Sequence, residues 1–161
     1  MKIENLPIPL GIAVSNISKN KRELKTRGDL LEAVMCSVAF PLLFEIQNMN
    51  GDDFIDGGVA DHEPTRELIL DKSINKIFIH EILTENSGKS GKLKRALNSG
   101  ISIIEKETRE LKELLAKKMG TKLVRISTNA FAIGPNKLHL GYENIKLGYE
   151  SAMKNQHIFP S

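Results

Sequence analysis

Asp56, Gly57 and Gly58 follow a short apolar run, Phe54-Ile55, and lead into Val59, Ala60 and Asp61. A carboxylate at a strand end, with two glycines where the backbone must turn sharply, can serve as the base of an active site. The usual serine partner of such a base sits on a Gly-x-Ser-x-Gly elbow, and none occurs in the 161 residues. Gly100-Ile101-Ser102-Ile103 lacks the closing glycine, and Gly88-Lys89-Ser90-Gly91 has the wrong spacing for a phosphate loop.

Other reactive side chains give weaker patterns. His80-Glu81 is followed by Thr84 where a zinc-protease helix needs its second histidine. Asp52, Asp53 and Asp61 fail as a calcium loop, because Asp53 takes the turn-glycine position and no glutamate closes the loop. They read as solvated turn residues. Cys36 and Ser37 lie in a run of small residues before Pro41, where side chains pack or cap rather than react. His62 is close to Asp56 in sequence and reads as a surface histidine. No metal and no cofactor is expected.

Composition bounds the remaining classes. Aromatic residues make up 5% of the chain and tryptophan is absent, which argues against a base-stacking platform for nucleic acid. A net charge of +3 implies no polyanion partner. One cysteine excludes an internal disulfide and any multi-cysteine cluster. Met1-Lys2-Ile3-Glu4 lacks a signal peptide's apolar core, and no apolar run approaches the roughly 18 residues of a transmembrane helix. A cytoplasmic location follows as the expectation, with at most peripheral membrane contact. The basic run Lys89 to Arg95 could touch anionic headgroups but reads better as the solvated start of a helix.

These residues require elements to hold them. Leu10 to Val14 is a buried strand by its apolar run, Asn16 to Asn20 a turn, and Glu23 to Thr26 an adjacent short strand. Gly28-Asp29 caps a helix over Leu30 to Val38, which Pro41 stops. Leu42 to Ile46 and Phe54-Ile55 form a hairpin around a polar turn, Asn48 to Asp53. Pro64 opens a short helix over Thr65 to Leu70, and Ile74 to Ile82 is a strand. After a loop over 85–92, Leu93, Leu97, Ile101, Ile104, Leu111 and Leu115 mark an amphipathic helix facing a core or an interface, with Gly120 as its stop. Lys122 to Thr128 is a strand and Tyr142 to Lys154 a helix. Strands alternating with helices make the chain α/β in a single domain of 161 residues.

Residues Leu6 to Ile82 resemble the patatin-like phospholipase family. The resemblance rests on Leu6-Pro7-Ile8-Pro9 before the strand Ile12-Ala13-Val14, and on the small-residue segment Ala33 to Pro41 with Phe44 after it. Asp56-Gly57-Gly58-Val59 and then Glu63-Pro64 follow in order, the last where the family usually has asparagine-proline. Leu147-Gly148-Tyr149-Glu150-Ser151-Ala152 looks like the closing helix of bacterial members.

The resemblance implies an α/β sheet flanked by helices and acyl-ester hydrolysis by a Ser-Asp dyad without histidine. It makes Asp56 the dyad aspartate, with Gly57 and Gly58 allowing close approach of the nucleophile's turn and of substrate. The family's oxyanion loop and nucleophile elbow lie N-terminal to everything seen here. The chain is therefore expected to be the C-terminal part of such a hydrolase, whether by truncation, by gene splitting or as an excised piece. It would be inactive alone, with residues 1–82 as the dyad-aspartate half and 93–161 as C-terminal helices and strand. The expected partners are a lipid or acyl-ester substrate and an N-terminal complementary fragment or a second copy, the latter two through an unpaired edge at Ile12 to Val14. The alternative is a non-catalytic interaction module derived from the family.

Overall fold

The computed structural model describes residues 1–41, 43–84, 92–132 and 139–159, with backbone alone over 92–98. Leu42, the expected loop over 85–91, the Gly88 to Gly91 motif and the side chains of Leu93, Leu97 and Lys92 to Arg95 lie outside the described residues. The architecture is α/β, and the chain folds as two compact units. One comprises Met1–Glu67 with Ile104–Arg109, the other Leu68–Ile103 with Glu110–Ser161.

The first unit is built on a four-stranded antiparallel sheet. β1 (Ile12–Asn16) turns into β2 (Lys21–Lys25), and β3 (Gln47–Met49) turns into β4 (Asp52–Asp56), giving the order β2-β1-β4-β3. β1 is paired along its whole length with β2 but with β4 only at Val14, Ser15 and Asn16, so of the unpaired edge expected at Ile12 to Val14 only Ile12 and Ala13 lack a strand partner on that side among the described residues. The charged segment Lys21–Lys25 occupies one side and β4 the other. α1 (Leu30–Ser37) packs on this sheet, joining Ile3, Ile12, Val14, Ala33, Cys36, Met49 and Phe54 in one buried cluster. Asp29 caps α1 as expected, its Oδ1 accepting from the amides of Leu31 and Glu32 at 2.9 and 3.1 Å.

The second hairpin differs from expectation. Its first strand is Gln47–Met49, and the polar turn has shrunk to Asn50 and Gly51, both with positive φ (54° and 83°). That is the two-residue primed turn whose twist matches paired strands. The residues from Leu43 to Ile46, expected to be an extended strand, are exposed and irregular. Asp52 and Asp53 are strand residues rather than turn residues, Asp53 solvated as expected and Asp52 half-buried. Asp52 accepts from buried Asn16 Nδ2 at 3.1 Å and pairs with Lys19, while Asp53 Oδ1 accepts from Asn48 Nδ2 at 2.9 Å.

After α2 (Gly57–Ala60) and α3 (Arg66–Leu70), the second unit pairs β5 (Lys76–Thr84) with β6 (Lys122–Ala130) in parallel. Alternation gives this pair two covered faces. Ile77 and Ile79 pack with Ala116, Leu115 and Met119 of α4 (Lys92–Met119), while α5 (Leu140–Lys154) packs on β6 and Phe159 meets Phe78 with ring centroids 5.0 Å apart. Burial on both faces is the usual condition of parallel strands. Gly120, at φ +75°, ends α4 as expected.

The apolar stripe of α4 does not face a core as a whole. Leu115 packs with Ile77 and Ile79, whereas Ile101, Ile104 and Leu111 are exposed, and Ala116 and Lys112 are buried. No helix among the described residues is long and apolar enough to cross a membrane.

Phe54 is the largest fully buried side chain of the first unit. Phe54→Ala is expected to cost about 3–5 kcal/mol in urea unfolding; a loss under 1 kcal/mol would show that the sheet and α1 do not form one core.

Candidate active site

Asp56 ends β4 and caps α2. Its Oδ1 accepts from the Gly58 amide at 2.7 Å, its own amide donates to the Ala39 carbonyl at 3.0 Å, and its carbonyl accepts from Ser15 Oγ at 2.8 Å. The backbone of Asp56 is therefore tied to both β1 and the segment after α1. Only one carboxylate oxygen is used in the cap.

The two glycines have separate roles. Neither has positive φ, so a sharp turn is not what requires them. At Gly57 a Cβ would lie 2.2 Å from the Ala13 carbonyl oxygen and 2.5 Å from its carbon, a clash with backbone that no side-chain movement relieves. At Gly58 a Cβ would meet Asp56 Oδ1 at 3.0 Å and His62 Nδ1 at 3.5 Å, both on movable side chains. Gly57 lets α2 lie directly on β1, and Gly58 leaves room beside the carboxylate.

Asp56, Gly57 and Gly58 line a cleft of about 420 Å³ together with Ala13, Ser37, Asp61, His62 and Pro64. That volume lies within the range of small-molecule sites, about 300–1,000 Å³. Ser37, the last residue of α1, shares the cleft, but among the described residues no hydrogen bond joins it to Asp56. His62 is exposed as expected, and its Nδ1 lies 3.4 Å from Glu105 Oε1, an ion pair only when the imidazole is protonated. A histidine so engaged does not orient Asp56.

Asp61 corrects the reading of it as solvated. Its side chain is buried, 3.5 Å from Arg22 Nε, and its Oδ1 accepts from the Glu63 amide at 3.1 Å. Arg22 also pairs with Glu67, so one guanidinium ties β2 to the segments after both α2 and the start of α3. Among the described residues its Nη1 is buried with no hydrogen-bond partner. Nothing in the sequence pattern marks Arg22, since its carboxylates lie about forty residues away (see Asp61 and Glu67). Ser15 was missed for the same reason.

Cys36 is buried against Ile12, Val14 and Phe54 in the first unit's core. Burial pushes its thiol above the ordinary value, against the opposing pull of Lys25. A buried protonated thiol is a poor nucleophile. Among the described residues no group of three metal-ligating side chains converges.

Residues 1–69 match the family model described as patatin-like phospholipase. The match runs from the N-terminus through β1, α1, the second hairpin, α2 and most of α3, and so contains every residue of the Asp56 cleft. It ends before β5 and does not reach the segment Leu147 to Ala152.

Two outcomes test this geometry. Gly57→Ala should lower stability by about 1–3 kcal/mol or more, while Gly58→Ala stays folded; equal tolerance at both positions would refute the close approach to Ala13. Iodoacetamide at pH 8 should leave native Cys36 unlabelled and alkylate it in denaturant. The folded thiol holds its proton more tightly than the unfolded one, so the linked stability is present below the unfolded thiol's range and falls as pH rises above it.

Proposed function

We propose that this chain supplies the aspartate base of a Ser-Asp acyl hydrolase acting on lipid esters, and that the serine and oxyanion donors come from a second patatin-like segment. The observation that carries the reading is Asp56 on a cleft whose every lining residue falls within the matched segment. A carboxylate held beside two glycines has the reach to take the proton of a serine hydroxyl seated in that cleft. The serine oxygen then attacks the acyl carbonyl, and Asp56 returns the proton to the leaving alcohol. A water deprotonated by Asp56 then releases the acid from the acyl-serine. No histidine is needed, in keeping with His62 being turned to Glu105.

A second reading, a non-catalytic interaction module, is favoured by one observation. From Leu31 through Val34, Met35, Val38 and Phe40 to Leu43, Phe44 and Ile46, large apolar side chains of the first unit are exposed in near succession. Exposed apolar surface on this scale is typical of a protein contact, and the occupant is a complementary segment or a second copy. Of the basic segment Lys89 to Lys94, a candidate for headgroup contact, residues 89–91 and the side chains of Lys92 to Lys94 lie outside the described residues.

The chain mixed with a patatin-like segment bearing a Gly-x-Ser-x-Gly elbow should hydrolyse a p-nitrophenyl ester, and Asp56→Asn should reduce kcat at least a hundredfold while the complex still forms. Turnover unchanged in Asp56→Asn would remove Asp56 from the mechanism. A stable complex without turnover would establish the interaction module.

A further inference from the structure

Leu140-Gly141-Tyr142-Glu143 recurs seven residues on as Leu147-Gly148-Tyr149-Glu150. Seven residues are close to two helical turns, so each repeated residue falls on the same face of α5. Tyr142 and Tyr149 are the chain's two tyrosines, and they are 83% and 67% exposed. Ile145 and Met153 share their stripe, at spacings of three, four and four, and both are exposed. The opposite face carries Asn144, Leu147, Ser151 and Asn155, all half-buried. α5 thus leaves its aromatic face outside.

The rotation of α5 about its own axis is fixed. Asn144 Oδ1 accepts from the Phe131 amide at 2.8 Å, and its Nδ2 donates to the Phe131 carbonyl at 2.9 Å, so α5 is clamped to the end of β6. Two turns on, Ser151 Oγ donates to the Ser127 carbonyl at 3.3 Å. The stripe cannot roll inward without breaking all three bonds.

Exposed tyrosines flanked by aliphatic side chains make a contact surface, and the charges beside them identify its occupant. By the helical period, Glu143, Lys146, Glu150 and Lys154 lie along one flank of the stripe, and Gly141, Gly148 and Ala152 along the other. A second α5 laid antiparallel on the stripe, with the two-fold axis beside Gly148, brings the two charged flanks together. Lys146 then faces Glu150 of the partner subunit, and Glu143 faces Lys154 of the partner subunit, each pair occurring twice. A parallel copy sets each charged flank against a glycine flank and makes no such pair.

We propose that this stripe is the interface of a symmetric dimer, α5 packing antiparallel on α5 of a second copy of the chain. It is independent of the Asp56 reading and lies outside residues 1–69. Opposed charges set the orientation, and the tyrosines with Ile145 and Met153 supply the apolar area.

The test is sedimentation of the full chain from about 5 to about 500 μM, the range of a small two-helix interface, with acrylamide quenching of tyrosine emission at each concentration. The chain has no tryptophan, so the emission reports Tyr142 and Tyr149 alone. A dimer is expected, with quenching falling as it forms. Ile145→Ala should weaken it about tenfold, since the side chain is lost from both copies. Lys146→Glu and Glu150→Lys should each weaken self-association about five- to tenfold, as two attractions become repulsions. An equal mixture of those two variants should restore the dimer, because each supplies the charges the other lacks. A monomer at every concentration would overturn the proposal. So would a dimer whose tyrosines stay open to acrylamide, or charge variants that self-associate as well as the wild type. Protection of the tyrosines by anionic vesicles without self-association would overturn it in favour of a membrane.

Discussion

The Asp56 cleft depends on a backbone contact. Where Gly57 crosses β1, its Cα lies so close to Ala13 that any side chain would strike the carbonyl. This lets the first turn of α2 sit against the central strand of the sheet, and places Asp56 at the join. The Ser15 hydroxyl bond and the Ala39 carbonyl then hold the Asp56 backbone from two sides. Rigid backbone support is what a catalytic base needs, because a misplaced proton acceptor loses most of its effect.

A polar network secures the other end of the same strands. Asn16, almost fully buried, donates to Glu23 at 2.9 Å and to Asp52 at 3.1 Å, and accepts from the Lys19 amide at 2.9 Å. Burial raises the Glu23 carboxyl's proton affinity, but hydrogen bonds from Lys25, Lys21 and Asn16 outweigh it and hold the group below its ordinary value. Satisfied buried amides of this kind fix strand register. In the second unit, the clamp of Asn144 on Phe131 and the pair Arg125–Glu81 at 3.0 Å across the parallel strands do the same work on opposite faces.

Local signals in the sequence proved reliable and long-range ones did not. Asp29 as a cap, Gly120 as a stop, and the strands at Ile12, Ile77 and Lys122 follow from short windows. The second hairpin went wrong because apolar Leu42 to Ile46 outweighed Asn50-Gly51, a dipeptide whose shared positive φ is the stronger signal. The stripe on α4 has helical spacing, yet periodicity says which residues share a face and not what covers it; Ile104 and Leu111 face outward. Asp61 looked solvated because its partner Arg22 comes from a distant strand. The strand end at Asp56 was legible from Phe54-Ile55 and the glycines that follow, but the reason for Gly57 was not, since nothing local places Ala13 beside it.

On the proposed function, this chain carries the base and not the nucleophile. Fluorophosphonate labelling of the mixture with an elbow-bearing patatin-like segment, read by mass spectrometry of each chain, tests it most directly. An adduct is expected on the serine of that segment and none on this chain. An adduct on a serine of this chain, Ser37 in the Asp56 cleft above all, would contradict it.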